Sequence, residues 1–373
     1  MMNIAYISSS TIPSKKANSV HVMKMCKAFV DKGVDVTLFA KEGNKEKGDP
    51  FKYYGINKSF SIRYVSWPPV RAIGSTIYSV LVSLSLGRVS DLDLVYSRHR
   101  YALACSLLNN IPFVYEIHTL PKNPLERAVE KFLFTRENFR SLVVISQQLK
   151  LNFLKTFDIL DNEDIVVLHD AADRPKTRSP VPSVKWPGRS GRLQVGYVGH
   201  LYPGKGMEII SKIAPKLRDV DFHIIGGEES DIEKWNNKLG VDNVIFHGYI
   251  RHENLSKYYN ALDIALCPLM DKVIAGGKNI AKWTSPLKIF EYMSHGLPTV
   301  CSDLPVLKEV IIHGHNGLIA DNEKPEEWIA CIKKLRENVD LRLEISRKAT
   351  NMHRNKYTWG KRAGRILSEL GYI

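Results

Sequence analysis

Nothing in this sequence approaches the ~20 consecutive apolar residues that a membrane-spanning helix requires. The nearest run, residues 73–86, is broken by Gly74 and several serines and stops at Gly87-Arg88. The first residues, Met1-Met2-Asn3-Ile4-Ala5-Tyr6-Ile7, lack the basic and long apolar regions of a secretory leader and read as a strand. Cysteine is sparse too. Cys26, Cys105, Cys267, Cys301 and Cys331 are odd in number, far apart and without any C-x-x-C spacing. They suggest neither a disulfide framework nor a zinc site, and they fit a reducing cytoplasm. Low-complexity tracts and nucleic-acid-binding signatures are also missing.

What is present is an ordinary globular composition, 44% hydrophobic and 25% charged, over 373 residues. That length is too great for one compact core and suits two domains. The formal net charge of +14 would serve nucleic acid, anionic lipid, a phosphorylated substrate or simply solubility. Without a nucleic-acid motif, the charge favours an anionic membrane bearing a lipid-linked acceptor. The expected location is therefore cytoplasmic, peripheral at the inner face of the membrane.

Short apolar runs alternate with helical patterns along the chain. Residues 3–8 read as a strand, 11–19 as a polar loop, and 21–32 as a helix with Val22, Met25, Cys26, Phe29 and Val30 on one face. Gly33 closes it and residues 35–40 form the next strand, a βαβ unit that implies a parallel sheet. Strands follow at 92–96, 112–118, 142–146 and 165–168, with a basic helix expected over 120–140. Residues 171–192, with Pro175, Pro180, Pro182 and Pro187, read as a linker. A second series places strands at 193–198, 222–227, 244–249, 264–267, 299–301 and 317–320, and a last helix runs from about Trp359 to Leu370.

Chemistry gathers in three places. The first is Trp283-Thr284-Ser285-Pro286-Leu287-Lys288-Ile289-Phe290-Glu291-Tyr292-Met293. Ser285 is a good N-cap, Pro286 suits the first helical position, and Gly296 and Pro298 end the run. Such a helix start can hold a phosphate, here through the Leu287 and Lys288 amides because Pro286 has no N–H. Glu291, almost two turns down, offers a carboxylate to sugar hydroxyls; an ordinary amphipathic helix with a surface glutamate is the plain alternative. The second place is Gly199-His200-Leu201-Tyr202-Pro203-Gly204-Lys205-Gly206, between a strand and a helix beginning near Met207. It nearly matches a P-loop, but Gly206 stands where Ser or Thr would hold Mg²⁺, which argues against a P-loop NTPase. A Gly-rich turn with Lys205 beside a helix start still favours an anion. The third is His118, ending the strand Tyr115-Glu116-Ile117-His118. Open α/β sheets bind ligands at the carboxyl ends of their strands, although a lone histidine is more often structural.

The run from Ser285 to Val300 resembles the donor-site helix of retaining glycosyltransferases of family 4, which have the GT-B fold. The resemblance covers nearly the whole chain, with the motifs in the expected order. It implies an α/β protein with two Rossmann-like doubly wound domains facing across a cleft. Residues 1–172 would bind the acceptor, 173–192 would be the linker and 193–356 would bind a nucleotide sugar. Residues 357–373 would be a C-terminal helix crossing back onto the first domain. In that family two glutamates with seven residues between them bracket the donor; the second matches Glu291 and the first falls at Trp283.

The resemblance also implies roles for the loops. Relatives open the second domain with a strand, Gly-Arg-Leu and then Lys-Gly, whose Arg and Lys bind the donor diphosphate. Lys205 matches the Lys, and His200, after Gly199, stands where the Arg usually is. Histidine cannot make arginine's bidentate fork, so leaving-group stabilisation is expected to be weaker or pH-sensitive, with Lys205 carrying more of it. Gly227, Tyr249 and Ile250 would hold the nucleobase through their backbones. Ala17, Asn18 and Ser19 fall where the family has a Gly-Gly loop approaching the phosphates and acceptor, and His118 matches a histidine near the donor sugar and the reacting carbon. Residues 170–173 resemble the Asn-Gly-x-Asp that ends the first domain and read as structural.

The implied activity is retaining, metal-independent transfer of a hexose, glucose for preference, from a UDP-sugar. The acceptor would be a saccharide or a lipid-linked intermediate of envelope or exopolysaccharide synthesis, and no cofactor is expected. Catalysis is assigned to His118, Lys205 and Glu291. Lys205, His200 and the Leu287 and Lys288 amides would stabilise the leaving diphosphate, and Glu291 would anchor the ribose. Front-face attack, with a donor phosphate oxygen taking the acceptor proton, is the expected route; Glu116 is the carboxylate to trap should a nucleophile be involved. Two alternatives are a non-catalytic GT-B nucleotide-binding subunit and a nucleotide-sugar epimerase.

Overall fold

Strand–helix alternation builds two parallel sheets in the computed structural model, which describes residues 1–43, 48–65, 74–89, 91–106, 110–175, 186–275 and 278–373. The linker prolines Pro180 and Pro182 lie outside the described residues. The chain separates into two compact units, 1–169 with 359–373, and 170–358.

Unit one holds β1 (Asn3–Ile12), β2 (Asp35–Glu42), β3 (Ser61–Tyr64), β4 (Leu94–Ser97), β5 (Phe113–Ile117), β6 (Phe139–Val144) and β7 (Ile165–Val167). All pair in parallel, in the order β3-β2-β1-β4-β5-β6-β7. The order reverses between β1 and β4, where a doubly wound sheet leaves a crevice at the carboxyl ends of its strands. β4 and β5 are buried throughout, which explains their largely apolar character, with Ser97 and Glu116 the polar exceptions. The C-terminal helix, Trp359–Glu369, packs on the helix Ala17–Val30 through Trp359, Ala363, Ile366 and Leu367, a one-sided helical spacing.

Two sequence expectations fail in this unit. β1 runs beyond residue 8 to Ile12, and the helix begins at Ala17, so Ala17, Asn18 and Ser19 form its first turn and not a loop. The reason is local: the Ser19 hydroxyl donates to Lys16 O at 2.7 Å and pairs with the Ser14 hydroxyl at 2.9 Å, closing the turn. The helix expected over 120–140 spans only Pro124–Phe134. Asn123 caps it by accepting from the Glu126 N–H at 2.9 Å, Pro124 opens it, and Phe139 already belongs to β6.

Unit two holds β8 (Leu193–Val198), β9 (Val220–Ile225), β10 (Val244–Gly248), β11 (Ile264–Cys267), the small hairpin β12 (Ile274–Ala275) and β13 (Lys278–Asn279), then β14 (Thr299–Ser302) and β15 (Leu318–Ala320). Its sheet is parallel in the order β10-β9-β8-β11-β14-β15, reversing between β8 and β11. The unit starts at Asp170 and ends at Thr358, whereas the sequence reading set residues 173–192 apart as a linker and placed the second domain at 193–356. Ala172 is the cause: its N–H donates to Tyr357 O at 3.0 Å and it bridges Thr358, so residues 170–173 belong here. The end of the expected linker also packs on this unit. Trp186 donates to Gln194 at 2.9 Å, and Arg189 pairs with the buried Asp221 at 2.7 Å.

Candidate functional site

In unit two the crevice lies at the ends of β8 and β11. Gly199 leaves β8 at φ +147, and Gly226 leaves β9 so close to it that a Cβ on Gly226 would sit 2.3 Å from Gly199 O. The Gly226 N–H donates to Gly248 O at 2.7 Å. Backbone therefore touches backbone where three strands end, and only glycine allows it. Gly227 follows at φ +88 against the Leu201 side chain, Tyr249 is exposed, and Ile250 packs on the core beside β11.

The helix expected with Ser285 as its cap begins one residue later. It spans Leu287–Ser294, its cap position is Pro286, and no side chain caps it. Ser285 instead accepts the Asp170 N–H through its hydroxyl at 2.9 Å, a tertiary contact that no local pattern announces. The Leu287 and Lys288 amides remain in the first turn, where the helix itself has no acceptors for them.

Lys288 is the feature that sequence reading undervalued, having counted only its amide. Its Nζ is buried without a hydrogen-bond partner, 3.8 Å from the centroid of the Tyr197 ring and 2.8 Å from where a Gly199 Cβ would lie. Burial pulls its pKa down from 10.5 to about 7; Cys267 opposes and Lys205 reinforces the shift. The Lys205 pKa is also lowered by burial, and its Nζ lies 5.2 Å from the centroid of the Tyr202 ring. Tyr197 donates its hydroxyl to His200 O at 2.6 Å, which fixes the turn. His200 is exposed at its surface, yet desolvation by the surrounding protein, then Lys205 and Lys288, lowers its pKa.

The glycine-lysine turn does not present its amides to an incoming anion. Glu208, from the following helix Met207–Ile213, accepts the Gly204 N–H at 2.7 Å and the Gly206 N–H at 3.2 Å. The expected anion nest is occupied by the chain's own carboxylate, so Lys205 contributes by its ammonium. Glu291 is likewise engaged: Oε1 lies 2.8 Å from His252 Nε2, and Oε2 accepts the Tyr259 hydroxyl at 2.8 Å. Burial would raise its pKa, but the hydrogen bond and charge of His252, the Tyr259 hydroxyl and His295 together outweigh that and keep it lowered. Trp283, at the place of the family's first glutamate, is buried.

In unit one, His118 leaves β5 beside Glu116, and the carboxylate of Glu116 is wholly buried. Its Oε1 lies 2.6 Å from His118 Nε2, 2.9 Å from His21 Nε2 and 3.6 Å from Arg98 Nε. Its Oε2 accepts from the Tyr96 hydroxyl and, at 3.2 Å, from Arg362. Burial alone would raise the Glu116 pKa; Arg362, His21 and Arg98 hold it well below the usual carboxylate range. A carboxylate so enclosed cannot reach a sugar carbon, which removes Glu116 as the nucleophile to trap. His21, Glu116 and His118 bring one ligand atom each within 4.8 Å of one another. Arg98 and Arg362 already neutralise that carboxylate, however, so a cation there would meet two positive groups.

The predicted residues thus fall into two groups. Gly199, His200, Lys205, Lys288 and Glu291 assemble in unit two, while His118 stands in unit one with Ala17–Ser19 at the head of the helix that carries His21. Sequence reading missed Arg98, whose place just after β4 carries the same signal as His118 after β5, and whose Nη1 is buried without an acceptor. It also missed His252 and Tyr259, which had no local signal.

Comparison with known proteins adds the following. A family model described as Glycosyltransferase Family 4 matches residues 19–174, and one described as Glycosyl transferases group 1 matches residues 192–338. An uncharacterized glycosyltransferase of Methanocaldococcus jannaschii is 25% identical over 244 residues, 63% of this chain and 59% of that protein. A D-inositol 3-phosphate glycosyltransferase of Corynebacterium efficiens is 21% identical over 424 aligned positions, 98% of this chain and 94% of that one. The chain spans about half the length of several curated relatives it matches, 59%, 42% and 49% of three of them. Among solved structures, Anabaena HepE in complex with UDP-glucose superposes with a TM-score of 0.77 at 17% identity, over the full length of both chains.

Proposed function

The chain belongs to the group 1 glycosyltransferases of family 4, with the GT-B fold, and from that premise we propose that it moves a hexose, glucose for preference, from a UDP-sugar to a saccharide or lipid-linked acceptor. The proposal includes retention of configuration, independence of metal, and a place in envelope or exopolysaccharide synthesis. One observation carries it: a buried, partnerless Lys288 ammonium with Lys205 nearby, at the switch point of unit two. Buried charge without a counter-ion is costly, and a diphosphate would supply the counter-ion. The same two ammonium groups would neutralise charge on the leaving diphosphate, the work a divalent ion would otherwise do, which supports a metal-independent step. HepE, solved with UDP-glucose, supports the choice of donor.

Titration calorimetry of the full chain with a panel of nucleotide sugars tests the donor. UDP-glucose should bind, and its binding should depend on pH with a definite sign. A bound diphosphate raises the Lys288 pKa above its free value of about 7, so at pH 8 binding takes up a proton. Affinity should fall as pH rises above 7, and the observed enthalpy should vary with the buffer's ionisation enthalpy. Binding without proton uptake, or no binding of any UDP-sugar, counts against the reading.

The acceptor side is argued from unit one. Helices Gly74–Leu86, Arg100–Ser106 and Pro124–Phe134 pack side by side. They expose Val80, Leu81, Leu84, Leu125 and Phe132, and Arg136 lies over the Phe132 ring. Apolar side chains among basic ones suit an anionic membrane surface. The protein should sediment with vesicles containing phosphatidylglycerol and not with phosphatidylcholine alone, and Leu84→Asp with Phe132→Asp should weaken it; equal binding to both vesicles would contradict peripheral anionic-membrane contact.

A further inference from the structure

We propose that Glu116 and Arg362 are positioning residues for the transfer, Glu116 fixing the ring of His118 through the hydrogen bond at Nε2 and Arg362 holding that carboxylate from the C-terminal helix. The inference rests on the reading of His118 as the side chain beside the reacting carbon.

A buried ion network is an expensive way to stabilise a sheet; well-packed apolar side chains commonly do as well or better. This one has an outlet. Side-chain exposure is 0% for Glu116, 2% for His21 and Arg362 and 11% for Arg98, but 24% for His118. The order built inside therefore reaches solvent chiefly at the His118 ring, at the carboxyl end of β5, where a ligand would lie.

The geometry sets the ring's chemistry. Ionised Glu116 can only accept, so the 2.6 Å contact requires the proton on His118 Nε2. Nδ1 then has the ring's acceptor lone pair; Arg98 Nη2 lies 3.0 Å from Nδ1 and 3.1 Å from Nε2, beside both nitrogens and not along that lone pair. In this tautomer Nδ1 can accept from a sugar hydroxyl. Without Glu116 the proton is free to move to Nδ1, and the ring then presents a donor where the substrate also has one.

Arg362 is not needed to dock its helix, because Trp359, Ala363, Ile366 and Leu367 already bury that face. Its guanidinium instead donates to Glu116 at 3.2 Å, His169 O at 3.1 Å, Leu168 O at 3.3 Å and the Met25 sulfur at 3.6 Å. Trp359, three residues earlier, sets its ring edge-on to His21 with centroids 5.1 Å apart. The last helix thus steadies both neighbours of His118.

The test uses the full chain, ¹⁵N-labelled at histidine, with UDP-glucose as probe and UDP release to water as the rate. Wild-type His118 should show the Nε2–H tautomer by long-range ¹H–¹⁵N correlation. In Glu116→Gln that tautomer should give way to a mixture. The kcat for UDP release should then drop about 10²-fold, the cost of a misplaced reacting group, with KM for UDP-glucose unchanged. Glu116→Gln leaves a buried guanidinium without its counter-ion, so Glu116→Gln/Arg362→Met, which removes one charge of each sign, keeps the test open if the single variant unfolds in thermal melts. Adding His118→Ala to the double variant should cost nothing further, since residues acting as a unit are not additive. Arg362→Lys should recover part of the rate. An unchanged tautomer in Glu116→Gln, or a fully additive loss with His118→Ala, overturns the proposal. So does a wild-type rate in the folded double variant while His118→Ala is inactive, an outcome that leaves the reading of His118 standing. A wild-type rate in His118→Ala overturns both.

Discussion

Replacing Lys288 with methionine should reduce sugar transfer by about 10²–10³-fold, the loss seen when a preorganised charge-stabilising donor is removed, and should leave the protein at least as stable as before. The two effects point in opposite directions because the ammonium is buried for a ligand. Among the described residues it has no hydrogen-bond partner and faces only the Tyr197 ring, and burial has lowered its pKa to about 7 from 10.5. Between those values the folded chain binds fewer protons than the unfolded one, so stability rises with pH across that window. Below pH 7 the fold carries the full cost of a buried cation. Methionine keeps the apolar stem and removes the cost, so its melting temperature should exceed that of wild type most clearly at pH 6 and least at pH 10. Tyr197, whose ring the ammonium faces at 3.8 Å, offers methionine a good sulfur–aromatic contact. Melting curves at the two pH values and initial rates with UDP-glucose settle the matter; a variant with normal turnover would remove Lys288 from the site. Lys205→Ala should follow the same direction, losing transfer while staying folded.

Glu291→Ala is the second large effect, and it should appear in donor binding before it appears in rate. Hydrogen bonds to a charged group contribute about 1.5–3 kcal/mol, so loss of the ribose anchor should weaken UDP-glucose binding roughly 10–100-fold. A carboxylate has about four lone-pair directions, and His252 and Tyr259 occupy one on each oxygen, which leaves acceptor capacity for a ribose. The same contacts predict a stability cost of about 1–3 kcal/mol, because the buried Tyr259 hydroxyl loses its acceptor. Tyr259→Phe separates the two. It removes the hydroxyl and leaves Glu291 in place, so the melting temperature should fall while donor affinity stays at the wild-type level. If Glu291→Ala binds UDP-glucose as wild type does, the carboxylate is structural and its link to His252 and Tyr259 is its whole purpose.

Residues with local signals and residues with distant partners fared differently. β8, expected at 193–198, and β11, expected at 264–267, occur at those bounds, because a buried parallel strand is a short apolar run ended by glycine or proline. The C-terminal helix from Trp359 was legible for a similar reason, its apolar residues recurring at helical spacing. Ser285 shows the opposite case: everything local favours an N-cap, yet its hydroxyl serves the Asp170 amide, 115 residues away. Gly204 and Gly206 repeat the lesson, since their amides were taken by Glu208 once the following helix turned that carboxylate back.

By itself, then, the sequence determined most of the sheet strands though not β3, their alternation with helices into two doubly wound units, and which loops end at the carboxyl edges of the sheets. Those are consequences of periodicity and turn chemistry, which act over a few residues. Tertiary structure decided which charges are left without partners. Lys288 is bare and Glu116 is saturated because of what the fold packs beside each, and in a buried site that difference separates a group awaiting a ligand from one already satisfied.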